Sequence, residues 1–374
     1  MAKILINCSN LKLGGGIQVA KSICSGLSEF AQHDFIVVIS DYLLSLEKEM
    51  ENSHNVLILR YNLNNGIKTL IFGRDSFLDN LIDKHHVDVV LSIFGPITWT
   101  PRCPHICGFA RAQLVLLESP YFSRMSFLSC LASRLKNKIM TYYFKRGVTA
   151  FYTENSYISC KWKQKVGPKK VYTVTNYYNQ VFDFPFVWKN KNLPYFNGIT
   201  LLCVTANYPH KNLEISIEIA KSLKYNHPDL NFRFVFTIKD SAFPDLSSDL
   251  KENFLFIGPV DIRECPSLYK QADIMFQPTL LECFTATYPE AMRMEVPIVT
   301  TDLDFARGLC GGAALYYDSL DANSAAEAIY KVSVDSKLRK DLITRGKHQL
   351  LQYDNYNQRR IKLIKILENL ISNN

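Results

Sequence analysis

Apolar positions along this chain alternate between two periods. Short runs bounded by turn residues, KILINC (3–8), FIVVIS (35–40), 56–59, VDVVLSI (87–93), 150–152 and 171–174, read as buried strands. Between them apolar residues return at helical spacing. Positions 17, 20, 23, 24, 27 and 30 predict one helix, and 76–85 predicts another. The segment 185–198, PFVWKNKNLPYFNG, has two prolines, three asparagines and no periodicity, so it reads as a linker. After it the alternation restarts. Strands are expected at 199–204, 232–237, 254–257, 274–277 and 296–300, and helices at 212–225, near 266–271, at 288–294 and at 322–334. One helical tract then runs from 336 to about 370.

Alternating strands and helices argue for parallel sheets with helices on both faces. Because the pattern restarts, the expected fold is α/β, with two doubly wound, Rossmann-like domains facing a cleft. The expected boundaries are 1–187 and 188–355, followed by a C-terminal helix at 356–374 that is free to return to the first domain. A chain of 374 residues is long enough for two such cores. Ligands of such sheets sit outside the carboxyl ends of the strands.

Composition narrows the class. The chain is 47% hydrophobic and 21% charged, which excludes disordered, collagen-like and coiled-coil proteins. No uniformly apolar run reaches the length of a spanning helix, and the N-terminus MAKILINCSN lacks an apolar signal core. A cytoplasmic protein is expected. The ten cysteines form no C-x-x-C pair, so buried reduced thiols are expected rather than a metal site or disulfides.

Charge is uneven. Net charge is +8, yet the stretch from Arg102 to Lys170 holds thirteen Lys or Arg against Glu118 and Glu154, or +11, leaving about −3 for the rest. Within it, Leu128, Leu131, Leu135, Ile139 and Tyr142 share one helical face. A basic amphipathic helix of this kind fits adsorption to an anionic membrane surface, and the same stripe equally fits packing on a domain core. Nucleic-acid binding is not expected, since the stretch carries no known binding motif and the remainder is mildly acidic.

Three loops carry candidate chemistry. The first, 9–16, ends in Gly14-Gly15-Gly16 before a helix, where backbone N–H groups can approach a phosphate. It is not a dinucleotide fingerprint, because Val19 stands where the last glycine is needed. The second, VTANYPHKNLE (204–214), places Lys211 at a helical start, an arrangement suited to a diphosphate. The third, PTLLECFTATYPEAMRMEVPIVTT (278–301), carries Glu282 in a loop at a strand's end and Glu290 on the following helix. Thr287-Tyr-Pro-Glu290 has the form of a capping box, so one duty of Glu290 is to cap its helix. Glu282 has no such structural duty.

Taken in order, G-G-G before the first helix, P-H-K-N after the first strand of the second half, and E-x7-E followed by A-M-x-x-x-x-P-I-V resemble the family-4-type retaining glycosyltransferases of GT-B fold, of the bacterial surface-polysaccharide type. Asn176, Gly258 and Ala313-Ala314 add to the match. The resemblance implies metal-independent transfer of a sugar from a UDP- or GDP-sugar to an acceptor hydroxyl with retained configuration, without any cofactor. An enzyme of this kind is expected to act on a lipid-linked or glycan acceptor in capsule, O-antigen or lipopolysaccharide assembly, with the basic, aromatic stretch from Arg102 to Lys170 lying on the inner face of an anionic membrane or meeting the acceptor's diphosphate. By position, Lys211 neutralises the diphosphate, Glu282 holds the transferred sugar, and Glu290 holds the donor ribose. The N–H groups of Phe284, Thr285, Ala286, Gly15 and Gly16 complete a phosphate cradle, and Arg111 is the acceptor-side candidate. The chain departs from the family at Ala206, where an arginine is usual, and at Cys283 and Thr285, where glycines are usual. The competing expectation is a non-catalytic GT-B homologue that binds a nucleotide sugar or a partner transferase.

Overall fold

The computed structural model describes residues 1–12, 14–50, 53–63 and 66–373. Leu13, within the glycine loop, and Asn374, at the end of the C-terminal segment, lie outside the described residues. The chain divides into two compact units. One holds Met1–Leu116, Ser126–Asn176 and Asp354–Asn374, and the other Leu117–Met125 and Tyr177–Tyr353.

In the first unit the described residues form a seven-stranded parallel sheet. Its strands are β1 (Ala2–Cys8), β2 (His33–Ile39), β3 (Val56–Arg60), β4 (Val89–Ser92), β5 (His105–Gly108), β6 (Ala150–Thr153) and β7 (Lys170–Thr173), in the order β3-β2-β1-β4-β5-β6-β7. The second unit has six parallel strands, β8 (Ile199–Cys203), β9 (Phe232–Phe236), β10 (Phe254–Phe256), β11 (Ile274–Gln277), β12 (Ile298–Thr301) and β13 (Ala314–Tyr317), in the order β10-β9-β8-β11-β12-β13. Central strands are buried on both faces: Ile4, Leu5 and Ile6 of β1 and Phe234, Val235 and Phe236 of β9 are all fully buried. Continuous apolar runs, rather than alternation, are what sheets covered by helices on both sides require. Phe232, Phe234, Phe236, Phe254 and Phe276 fill the second core, each stabilising it by about 1.5–3 kcal/mol.

Three sequence expectations change. The first helix spans only Gly15–Cys24, not 17–30; Gly26, a poor helix former, follows it, and Leu27–Glu29 forms a separate tight turn. β5, HICG, had no strand assigned to it; its short run, half of it His and Gly, offers little apolar signal. The final helical tract is two helices, Ser336–Leu350 and Tyr356–Ser372. The break falls where Asn355 and Gln358 form a reciprocal capping box, with both hydrogen bonds at 3.0 Å. That cap starts the second helix inside the first unit, where Leu363, Ile364, Ile366, Leu367 and Leu370 join the core with Ile4, Ile6 and Val19. Its Arg359, almost fully buried, donates to the Asn176 side-chain carbonyl and lies 4.0 Å from Glu154. Burial pushes the Glu154 carboxyl up to about 7, against the pull of Arg359.

Core packing of the basic amphipathic helix is not what the structure shows. A helix does form, Phe127–Lys145, but Leu128, Leu131, Leu135, Ile139 and Tyr142 are all exposed.

Gly108, at the end of β5, is the tightest backbone position. A Cβ there would sit 1.9 Å from the Ile93 carbonyl oxygen, which already accepts a hydrogen bond from Tyr152. Gly108→Ala is therefore expected to destabilise the first unit by about 1–3 kcal/mol through overpacking, read as a lower urea midpoint. An unchanged midpoint would contradict this packing.

Candidate functional site

The strand order of the second sheet reverses between β8 and β11, which are direct neighbours. Loops leaving the carboxyl ends of two such strands diverge and leave room for a ligand. Lys211 is on the loop after β8 and Glu282 on the loop after β11, so two of the sequence-selected residues reach this switch point from positions far apart in the chain.

There they meet. Lys211 Nζ is 2.5 Å from Glu282 Oε1, and each side chain is 13% exposed. Thr279 Oγ1 donates to the same carboxylate oxygen at 3.1 Å. His210 Nε2 lies 3.9 Å from it. Burial lowers the His210 pKa, with Lys211 adding to that and Glu282 opposing it. An ammonium and a carboxylate this sheltered interact more strongly than a surface pair, yet both stay accessible enough to meet a ligand.

Local backbone explains the approach. Pro209–Lys211 is a single tight turn that ends at Asn212, whose φ of 53° is a left-handed value asparagine tolerates. The helix expected from 212 starts later, at Ile215. The turn is tied to the other loop, since the His210 carbonyl accepts from Leu280 N at 2.8 Å and from Thr279 Oγ1 at 3.3 Å. The short segment Leu117–Met125, which belongs to this unit, braces both loops. Ser119 Oγ donates to the Leu280 carbonyl at 2.6 Å, and Arg124 reaches Asn212 and Glu214. The Tyr121 ring stands edge-on to His210, 6.3 Å away. Sequence reading missed His210, Thr279 and this bracing segment. His210 lay within the P-H-K-N run, but the contacts of Ser119 and Arg124 span 161 and 88 residues and leave no local signal.

Glu290 lies apart from that pair in its surroundings. Its carboxylate is buried and accepts a hydrogen bond from the Tyr269 hydroxyl at 3.1 Å. Burial pushes its pKa up to about 7, with Tyr269 partly opposing the shift. The expected capping box does not form. The helix Thr287–Arg293 has Ala286 at its N-cap, with no side-chain cap. Thr287 bonds instead to Gln277 at 3.3 Å and Thr285 at 3.0 Å, so Glu290 is left to Tyr269.

Phe284 and Ala286 are half-buried and Thr285 is buried, on the loop between Glu282 and this helix. In the first unit, Gly15 and Gly16 open the helix that follows β1, itself at that sheet's reversal of strand order. Arg111 is exposed in the loop after β5.

Residues 186–349 match the family model described as "Glycosyl transferases group 1", and the segments carrying Lys211, Glu282 and Glu290 lie inside that match. That match lies wholly within the second unit. Across 271 residues the chain is 25% identical to the O-antigen chain mannosyltransferase RfbU of Salmonella typhimurium, covering 71% of this chain and 72% of that protein. Solved structures agree on the fold. A glycosyltransferase from Rickettsia africae superposes with a TM-score of 0.72 at 15% identity, covering 100% of this chain and 99% of that one. Anabaena Alr3699/HepE, solved with UDP and glucose, gives 0.67 at 14% identity over 99% and 100%. Each unit has the parallel α/β architecture expected for the GT-B class.

Proposed function

We propose that this protein is a glycosyltransferase that moves a sugar from a nucleotide-diphosphate donor to an acceptor hydroxyl. The observation that carries the reading is the Lys211–Glu282 pair at the switch point of the second sheet, inside the segment that matches group 1 glycosyltransferases. Retention of configuration and independence of metal rest on the resemblance of the E-x7-E segment. The RfbU likeness supports a surface glycan of the O-antigen kind as product, and a lipid-linked acceptor at the inner face of a membrane is the acceptor this reading adds.

As the bond to the anomeric carbon breaks, negative charge gathers on the leaving diphosphate. Lys211, with the backbone N–H groups of Phe284, Thr285 and Ala286, supplies preorganised positive potential there. Glu282 accepts hydrogen bonds from hydroxyls of the transferred sugar, releasing Lys211 to the phosphates. Glu290, held by Tyr269, takes the ribose. Gly15 and Gly16 are the first unit's own phosphate-contacting candidates, and Arg111 its acceptor-side candidate.

A panel of UDP- and GDP-sugars tested by thermal shift checks the reading. The matching donor at 100 times its Kd adds about 2.7 kcal/mol of stability, and Lys211→Met should remove most of that gain. A protein indifferent to every donor would sink the proposal. Ala206, standing where the family has arginine, favours a second reading as a binding module. Donor binding without transfer to any acceptor or slow donor hydrolysis would select it.

A further inference from the structure

The long helix of the first unit is turned inside out. At about 100° per residue, Cys130, Ser133, Asn137, Met140, Thr141 and Phe144 form one face, and these, with Tyr143 at its edge, are the residues of the helix sheltered by the protein. Asn137 donates to the Gln113 carbonyl at 3.0 Å, and Phe144 packs against Phe109 and Trp162. The opposite face carries Leu128, Leu131, Leu135, Ile139 and Tyr142, which are 75%, 57%, 62%, 51% and 57% exposed. An amphipathic helix docked on its own domain would bury that stripe. Here a face of mixed polarity packs and the strongly apolar stripe faces out.

A second element extends the stripe. The short helix Ile67–Phe72 abuts the end of the long one, where Arg146 donates to the Leu70 carbonyl at 2.6 Å. It too shows apolar side chains outward, with Ile67, Ile71 and Phe72 at 74%, 61% and 67% exposure. Lys136 flanks the long stripe on one side and Arg134, Lys138 and Lys145 on the other, and no acidic residue occurs between Glu118 and Glu154.

We infer that these two helices form one surface that lies in the interface of an anionic lipid bilayer, apolar stripe toward the acyl chains and basic flanks among the headgroups. This rests on the reading above, which places a lipid-linked acceptor at a membrane, and adds the surface that reaches it. Charge selects the occupant. In a two-fold pairing of copies the same patch meets itself, bringing basic flanks against basic flanks, whereas anionic headgroups complement them.

Sedimentation with vesicles tests it. The full chain should partition at least about tenfold more onto vesicles of equimolar phosphatidylcholine and phosphatidylglycerol than onto phosphatidylcholine alone. The combined Leu131→Ser, Leu135→Ser and Ile139→Ser variant should lose about tenfold or more of that binding, and Ile71→Ser with Phe72→Ser a severalfold part of it. Arg134→Gln, Lys136→Gln and Lys138→Gln together should weaken binding and flatten its salt dependence. All these positions lie on the exposed face or flank it, so folding should survive, and an unchanged donor thermal shift in lipid-free buffer checks this. Unchanged vesicle binding by the serine variants overturns the inference, as does a wild-type chain that ignores anionic vesicles or a dimer that the serine variants dissolve. Failure of the donor shift in the wild-type chain would strike the transferase reading alone, because vesicle binding does not depend on it.

Discussion

Glu282→Ala is expected to lower kcat/KM for sugar transfer by about 10²–10³-fold while the protein stays folded. That is the scale found when one preorganised hydrogen-bonding or charged partner of a transition state is removed. The carboxylate has two strong contacts, Lys211 at 2.5 Å and Thr279 at 3.1 Å, and neither belongs to a sheet or a helix interior. Its loss therefore leaves the sheet's hydrogen bonds intact. It also leaves the Lys211 ammonium without its carboxylate, free to rest on the donor phosphates without a sugar contact to accompany it. The expected pattern is near-normal donor affinity with a depressed kcat. Glu282→Gln separates charge from hydrogen bonding, because it keeps an acceptor for Thr279 and loses the ion pair. A Glu282→Ala protein that transfers sugar at the wild-type rate would remove this residue, and the site built on it, from the chemistry.

The second large effect is thermodynamic. Glu290 is buried, and its pKa in the folded protein is raised from 4.5 to about 7. For a carboxyl raised by folding, the unfolded chain releases its proton first as pH increases. Stability contributed by the protonated group is present in full below about pH 4.5 and is lost as pH climbs through the folded value near 7. A shift of this size corresponds to about 3 kcal/mol. Glu290→Gln holds the neutral state at every pH and keeps an oxygen for the Tyr269 hydroxyl. Relative to wild type, the variant should therefore gain about 2.5 kcal/mol at pH 8 over its difference at pH 5, where a small part of the stability is already lost. Urea denaturation of both proteins at the two pH values reads this directly. An equal difference at both values would mean that Glu290 is ionised with no penalty, and that its surroundings are wetter than the Tyr269 contact implies. Glu154 in the first unit carries a shift of the same direction, so the comparison must be between variant and wild type rather than of wild type alone.

Each strand the sequence reading named formed within a residue or two of its expected place. Continuous runs such as KILINC and IMFQ can satisfy both faces of a covered sheet and nothing else of that length. Helix ends were less legible. The start of the helix after β8 moved to Ile215 because Asn212 takes a left-handed turn, and the Thr287–Glu290 cap failed because both side chains found tertiary partners in Gln277 and Tyr269. A local motif states only what is available within a few residues, and a buried partner from another element outcompetes it. The long helix from Phe127 shows the same limit. Its apolar period was plain, but whether the stripe faced the core or the outside depends on the opposite face, and the hydrogen bond from Asn137 to Gln113 and the packing of Phe144 decided that.

The linear order of residues determined the fold class and the repeat of the α/β pattern, and it singled out Lys211, Glu282 and Glu290 as candidates, because strand period, turn chemistry and the E-x7-E spacing are all short-range properties. Tertiary structure alone decided that Lys211 pairs with Glu282 while Glu290 is enclosed beside Tyr269. Two carboxylates eight positions apart look alike in a sequence. What separates them is how much water each retains, and that is set by β8, β11 and the helix Cys265–Tyr269 packing around them.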